Sequence, residues 1–172
     1  MIKLKNIINE MLDTIPQPPP AIINQHVHND NNIFNKNNMD DAYLLAATIW
    51  GEARGDGEKG MHAVLNVILN RSGGDITKAA GVVIKPKQFS FWNKISDKLN
   101  FAKKLAQSNR EGKLKDGKMY NKAIELVDKA LQHQLEDITG GAKYYFNPSI
   151  VRPSWANKML KTTTIGHHEF LK

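Results

Sequence analysis

Thr48-Ile49-Trp50-Gly51-Glu52-Ala53-Arg54-Gly55 sets one carboxylate where a carboxylate is costly. Read as the end of a helix begun near Asp40, it continues an apolar stripe at Leu45, Ile49 and then Glu52 or Ala53. That is the i, i+4, i+7 spacing of a buried helical face. Glu52 is therefore expected to point toward the core or a cleft. It also falls in the last turn, where the negative end of the helix dipole disfavours an anion. Burial and dipole both favour the protonated carboxyl, the form a general acid needs near neutral pH.

Around this helix the pattern predicts a helix-rich domain beginning near Met39, with Asp40 or Asp41 as the cap of its first helix. A second helix is predicted from Glu58 to Arg71, with Met61, Val64, Leu65, Ile68 and Leu69 buried and Gly73-Gly74 as its stop. On it His62, Asn66 and Asn70 repeat every four residues, a polar stripe read as satisfying loop backbone rather than performing chemistry. A short helix from Ile76 to Val83 is capped by Asp75. The segment from Lys85 to Trp92 reads as a structured loop presenting Gln88 and Ser90, and two more helices follow, near 96–107 and 119–135. After Gly140-Gly141 the composition turns to β-formers, Ala142 to Phe146 and Thr162 to Ile165, joined by a loop carrying Trp155. The expected class is α+β, with a small antiparallel sheet near the C-terminus.

Upstream, residues 2–15 space Ile2, Leu4, Ile7, Ile8, Met11, Leu12 and Ile15 as a short amphipathic helix. Residues 16–38 are Pro- and Asn-rich and read as a linker, in which His26 and His28 are solvated rather than metal-bound. Lys3 and Lys5 precede residues too polar for the apolar core of a signal peptide. No apolar run approaches the ~20 residues needed to span a bilayer. With no cysteine, disulfides, thiolate catalysis and Cys-type zinc sites are excluded. The 24 Lys and Arg against 17 Asp and Glu give a net charge of +7, which favours an anionic partner. These cations are spread along the chain without an aromatic-basic RNA motif, so nucleic acid is not the expected partner.

Five motifs then occur in order: Trp50-Gly51-Glu52-Ala53-Arg54-Gly55; Ala63-Val64 through Asn70-Arg71; Gln88-Phe89-Ser90 with Trp92; Gly141-Ala142 with Tyr144-Tyr145 and Asn147-Pro148; and Ile165-Gly166 with His168. Over residues 40–171 the chain resembles the spore cortex-lytic enzyme (SleB-type) family of cell-wall hydrolases. The resemblance implies a lysozyme-like fold related to lytic transglycosylases. It implies cleavage of peptidoglycan between N-acetylmuramic acid and N-acetylglucosamine, and a catalytic acid at Glu52. A lone carboxylate suits a lytic transglycosylase, because an ordinary glycosidase needs two, and Asp56 and Glu58 read as caps of the second helix. Substrate contacts are expected from Gln88, Ser90, Tyr144, Tyr145, Asn147, Trp155 and His168, with no metal or cofactor and a monomeric chain.

The chain departs from the family pattern at Phe91, where a Cys or small residue is usual, and at Leu171, where an aromatic is usual. The expected setting is a bacteriophage enzyme, held in the host cytoplasm before release to the wall or carried in the virion. Residues 2–15 would then dock on a virion protein or a membrane. Competing readings are a muramidase using water, a zinc amidase, and a non-catalytic basic binding module. His167-His168 with Glu169 is a thin basis for zinc, since adjacent strand residues face opposite ways.

Overall fold

The computed structural model describes residues 38–172. The segment 2–15 and nearly all of the linker 16–38 lie outside them. Helix α1, Met39–Ala53, is the axis of the fold. Ala42, Leu44, Leu45, Ala46, Ala47, Thr48, Ile49, Trp50 and Ala53 are all buried, so its apolar surface runs round the helix rather than along a stripe. Helices α2 (Gly57–Arg71), α3 (Ala79–Ile84), α4 (Lys98–Arg110) and α5 (Gly117–Leu131) all pack against it. Neither Asp40 nor Asp41 caps α1. The cap position is Asn38, and the two aspartates sit in the first turn, where they favour the helix through its dipole. Asp40 pairs instead with Lys103 on α4, at 2.8 Å.

A 3₁₀ turn, Arg54–Asp56, separates α1 from α2. Helix α2 buries Met61, Val64, Leu65 and Ile68 as expected, together with Ala63 and Val67, and leaves Leu69 half-buried. Gly73 and Gly74 end it at φ 76 and 81, the left-handed conformation in which Gly74 N–H reaches the Leu69 carbonyl at 2.8 Å. The third expected helix divides into a 3₁₀ turn, Ile76–Lys78, capped by Asp75, and α3. Helix α5 stops four residues before the expected Leu135, because His133 takes φ 56 and Gln134 N–H turns back to the Lys129 carbonyl.

The sheet has three strands, and the two read from composition are its edges. Strands β1 (Tyr144–Phe146) and β2 (Lys161–Ile165) both pair antiparallel with β3 (His168–Leu171), which lies between them. Phe170 and Ile165 pack with Ala63 and Val67 of α2, and with Ala142, into one buried cluster. Tyr145 lies against that cluster. The sheet thus presses β1 onto the helical half beside the C-terminus of α1.

Candidate active site

The end of α1 is fastened from two directions. Arg54 bonds the Trp50 and Gly51 carbonyls at 3.4 and 3.3 Å, lays its guanidinium 4.3 Å from the centre of the Trp50 ring, and pairs with Asp116 at 3.6 Å. This puts a cation on the carbonyls that the helix end leaves open. On another side the Phe91 ring sits directly on Gly51. A Cβ there would lie 2.3 Å from the ring, so this position requires glycine. Trp92 Nε1 donates to buried Thr48 at 2.9 Å. The 3₁₀ turn Ser90–Trp92 is thereby clamped over the last two turns of α1.

Glu52 is half-buried where these pieces meet. Its Oε1 accepts from the Phe91 backbone N–H at 2.6 Å and from Ser90 Oγ at 3.1 Å. Its Oε2 accepts from the Tyr145 hydroxyl at 2.8 Å, with Ser90 Oγ also within 3.3 Å. Tyr145 reaches it from β1, stacked on Phe170. Burial, and then the adjacent Glu52 charge, push the Tyr145 phenol well above its ordinary range, so it remains a hydroxyl at any working pH.

The other expected site residues divide. Tyr144 is exposed and lies beside Trp155, ring centres 5.7 Å apart, and Trp155 also meets Phe146, so these aromatics form one surface. Gln88 does not reach Glu52. It accepts a long 3.5 Å bond from Arg71. Asn147 shapes its own turn, its side chain accepting from Ser149 N–H and Oγ at 3.0 and 2.6 Å. His168 stands edge-on to Tyr145, ring centres 5.2 Å apart, and donates from Nδ1 to Asp56 at 2.7 Å.

Asp56 was expected to cap α2, and it does not. It occupies the cap position without a side-chain bond to the helix. Its carboxylate, 4% exposed, takes His167 Nδ1 and backbone N–H on one oxygen and His168 Nδ1 on the other. The adjacent histidines converge rather than diverge because His167 belongs to the turn before β3. Burial opposes the Asp56 charge, but the bonds from His167 and His168 outweigh it and hold the carboxyl below its ordinary range. Among the described residues no three His, Cys, Asp or Glu side chains gather as a metal site.

The polar stripe of α2 does what was expected of it. His62 Nε2 and Asn66 Nδ2 meet the Glu136 carbonyl at 2.7 and 3.1 Å, Asn66 Oδ1 accepts from Ile138 N–H, and Asn70 bonds the Ala142 carbonyl at 3.0 Å. These bonds fix the loop that feeds β1, and so the position of Tyr145. Three site groups escaped the sequence reading: the Phe91 N–H, Asp56 and Arg71. Arg71 is half-buried, donates from Nε to the Lys143 carbonyl at 2.6 Å, and lies over the Phe89 and Tyr144 rings. Its place directly after Asn70, at the end of the polar stripe, was the available signal.

A family model described as Cell Wall Hydrolase matches residues 55–171, opening three residues after Glu52. The spore cortex-lytic enzymes of Bacillus cereus and Halalkalibacterium halodurans are each 30% identical to this chain, over 82% and 76% of its length. These matches cover 48% and 34% of the two relatives, so the chain spans half of them or less. Among solved structures, the catalytic domain of the germination-specific lytic transglycosylase SleB from Bacillus anthracis is 26% identical, with a TM-score of 0.54. That match covers 82% of this chain and 98% of that domain. The SleB catalytic domain of Bacillus cereus is 28% identical with the same TM-score, over 85% and 100%.

Proposed function

The chain belongs to the cell wall hydrolase family, and within it we propose a lytic transglycosylase that cleaves peptidoglycan glycan strands between N-acetylmuramic acid and N-acetylglucosamine. One observation carries the reading: Glu52 is gripped by donors from two separate elements at a helix end, while both oxygens of the neighbouring carboxylate, Asp56, are taken by histidines. One carboxylate then serves as acid and base in turn.

Phe91 N–H, which can only donate, occupies Oε1, while Oε2 is met by the hydroxyls of Tyr145 and Ser90 and carries the moving proton. The Tyr145 hydroxyl can donate or accept, so it stays bonded to Oε2 in either state. In the first step Glu52 protonates the bridging oxygen and the glycosidic bond breaks, with the substrate's own 2-acetamido group stabilising the positive charge at C1. In the second, Glu52 takes the proton of the muramoyl C6 hydroxyl as that oxygen closes on C1, giving a 1,6-anhydro ring without water. Tyr144 and Trp155 offer adjoining sugars an aromatic surface.

The test is mass spectrometry of fragments released from purified peptidoglycan by the wild type and by Glu52→Gln. Anhydro-muramoyl ends from the wild type alone are expected. Reducing ends would make water the nucleophile, the muramidase reading. Free stem peptides would make the protein an amidase. The phage setting belongs to the same proposal and is decided separately, by whether purified virions or lysates contain the protein.

A further inference from the structure

Among the described residues Arg71 is a cation with no carboxylate in ion-pair contact. It sits at the last turn of α2, half-buried between Phe89 and Tyr144, with ring centres 5.5 and 5.7 Å from its guanidinium carbon. Its recorded bonds go to neutral oxygens, the Lys143 carbonyl at 2.6 Å and Gln88 Oε1 at 3.5 Å. Among the described residues no carboxylate lies within ion-pair reach of it. The comparable cation, Arg54, which also covers an aromatic ring, has Asp116 at 3.6 Å. Desolvation lowers the Arg71 pKa, and the Glu52 charge offsets this only in part. A partly desolvated guanidinium whose fork is not filled is matched in geometry to a carboxylate.

We infer that Arg71, with Tyr144 beside it, is a binding site for a carboxylate on the muramoyl substituent of the glycan strand. The site deepens the proposed function and rests on it. Arg71 bonds the Lys143 carbonyl just ahead of β1, and Tyr145 of that strand meets Glu52, so both groups are tied to the same strand. A muramoyl ring whose C1 meets Glu52 carries its 3-O-lactyl arm two ring carbons away, and an arm directed along β1 toward Lys143 runs toward Arg71. Tyr144 and Trp155 would hold the apolar faces of the sugar while Arg71 fixes its direction. Two sources share the chemistry: the lactyl carboxylate itself, free in strands stripped of peptide, and the carboxylates of an attached stem peptide.

Binding is measured by calorimetry on Glu52→Gln, which holds substrate without turnover. Three ligand sets are compared: stripped glycan oligomers with free lactyl carboxylates, the same oligomers converted to methylamides, and oligomers bearing stem peptides. Free-carboxylate oligomers are expected to bind about tenfold more tightly than the methylamides, in line with a charge-assisted bond. In Glu52→Gln/Arg71→Met that preference is expected to vanish, and Arg71→Lys in the same background should keep part of it. A preference confined to peptide-bearing oligomers, and dependent on Arg71, supports the site and assigns it to the stem. Equal binding of acid and methylamide oligomers, with no peptide-bearing preference, overturns it, and that comparison needs no change at Arg71. Wild-type cleavage of stripped oligomers is recorded alongside. Cleavage without carboxylate preference sinks this inference alone, whereas no glycan cleavage at all sinks the function it rests on.

Discussion

At Glu52 the proposed chemistry depends on donors that hold a carboxylate without neutralising it. Tyr145 makes the shorter bond to Oε2, the oxygen assigned the moving proton, and its ring is also stacked on Phe170 and edge-on to His168. Tyr145→Phe keeps that packing and removes one hydroxyl. We expect kcat on purified peptidoglycan to fall by about 10²-fold, the usual effect of losing one preorganised donor, with thermal melting shifted by only a few degrees. A loss of activity accompanied by a collapsed melting point would assign Tyr145 to the core instead. Glu52, Ser90 and Tyr145 could be picked out by residue type, Ser90 and Tyr145 as expected substrate contacts, and the structure brings the three together as one hydrogen-bonded group. The Phe91 N–H could not be picked out, since a backbone donor has no residue-type signature. Arg71 was passed over, and Asp56 read as a helix cap, because what a charged side chain does depends on partners far away in the chain, such as His167 for Asp56.

Among the elements, α2 is where sequence periodicity and tertiary role agree best. The four-residue spacing of His62, Asn66 and Asn70 could be read as a polar line needing partners, and the loop 136–142 supplies them. Asn66 is 2% exposed and serves both a carbonyl and an N–H of that loop. Asn66→Ala leaves the Ile138 N–H unpaired and the Glu136 carbonyl with His62 alone, at a cost of about 1–3 kcal/mol. Urea titration should show this loss, and hydrogen exchange should show the Ile138 amide losing its protection. If stability holds within about 0.5 kcal/mol, water replaces the side chain and the stripe is not what fixes the loop. Strand β3 was less legible. His168-Glu169-Phe170-Leu171 neither alternates nor begins with β-formers, and it becomes a strand because β1 and β2 bond to it on both sides. Helix α1 likewise read as amphipathic, because its alanines do not register as a buried face until four helices close around them.

Across the whole molecule, the helical half and the sheet are joined through Asp56. Its carboxylate sits at the α1–α2 turn and holds the His167 backbone, His167 and His168 where the β2–β3 hairpin closes, and Gly166 lies so near that a Cβ would be 2.4 Å from the carboxyl carbon. His168 then leans on Tyr145, so the same tie stands behind the donor to Glu52. A carboxyl held below its ordinary range stabilises the fold at pH values above its unfolded pKa, about 3.8, and that contribution is lost as pH falls through the lower folded value. Asp56→Asn cannot carry the charge. It should therefore be less stable than the wild type at pH 7 by about 1–3 kcal/mol, and the gap should narrow below about pH 3.8. Melting curves of the two proteins from pH 2.5 to 7 measure the gap directly, since every other carboxylate is common to both. A gap that stays constant across that range would mean that Asp56 acts through shape alone. A gap that closes in acid would make this hydrogen-bonded carboxylate tie, rather than the apolar contact of Phe170 with α2, the pH-sensitive part of the join between the two halves.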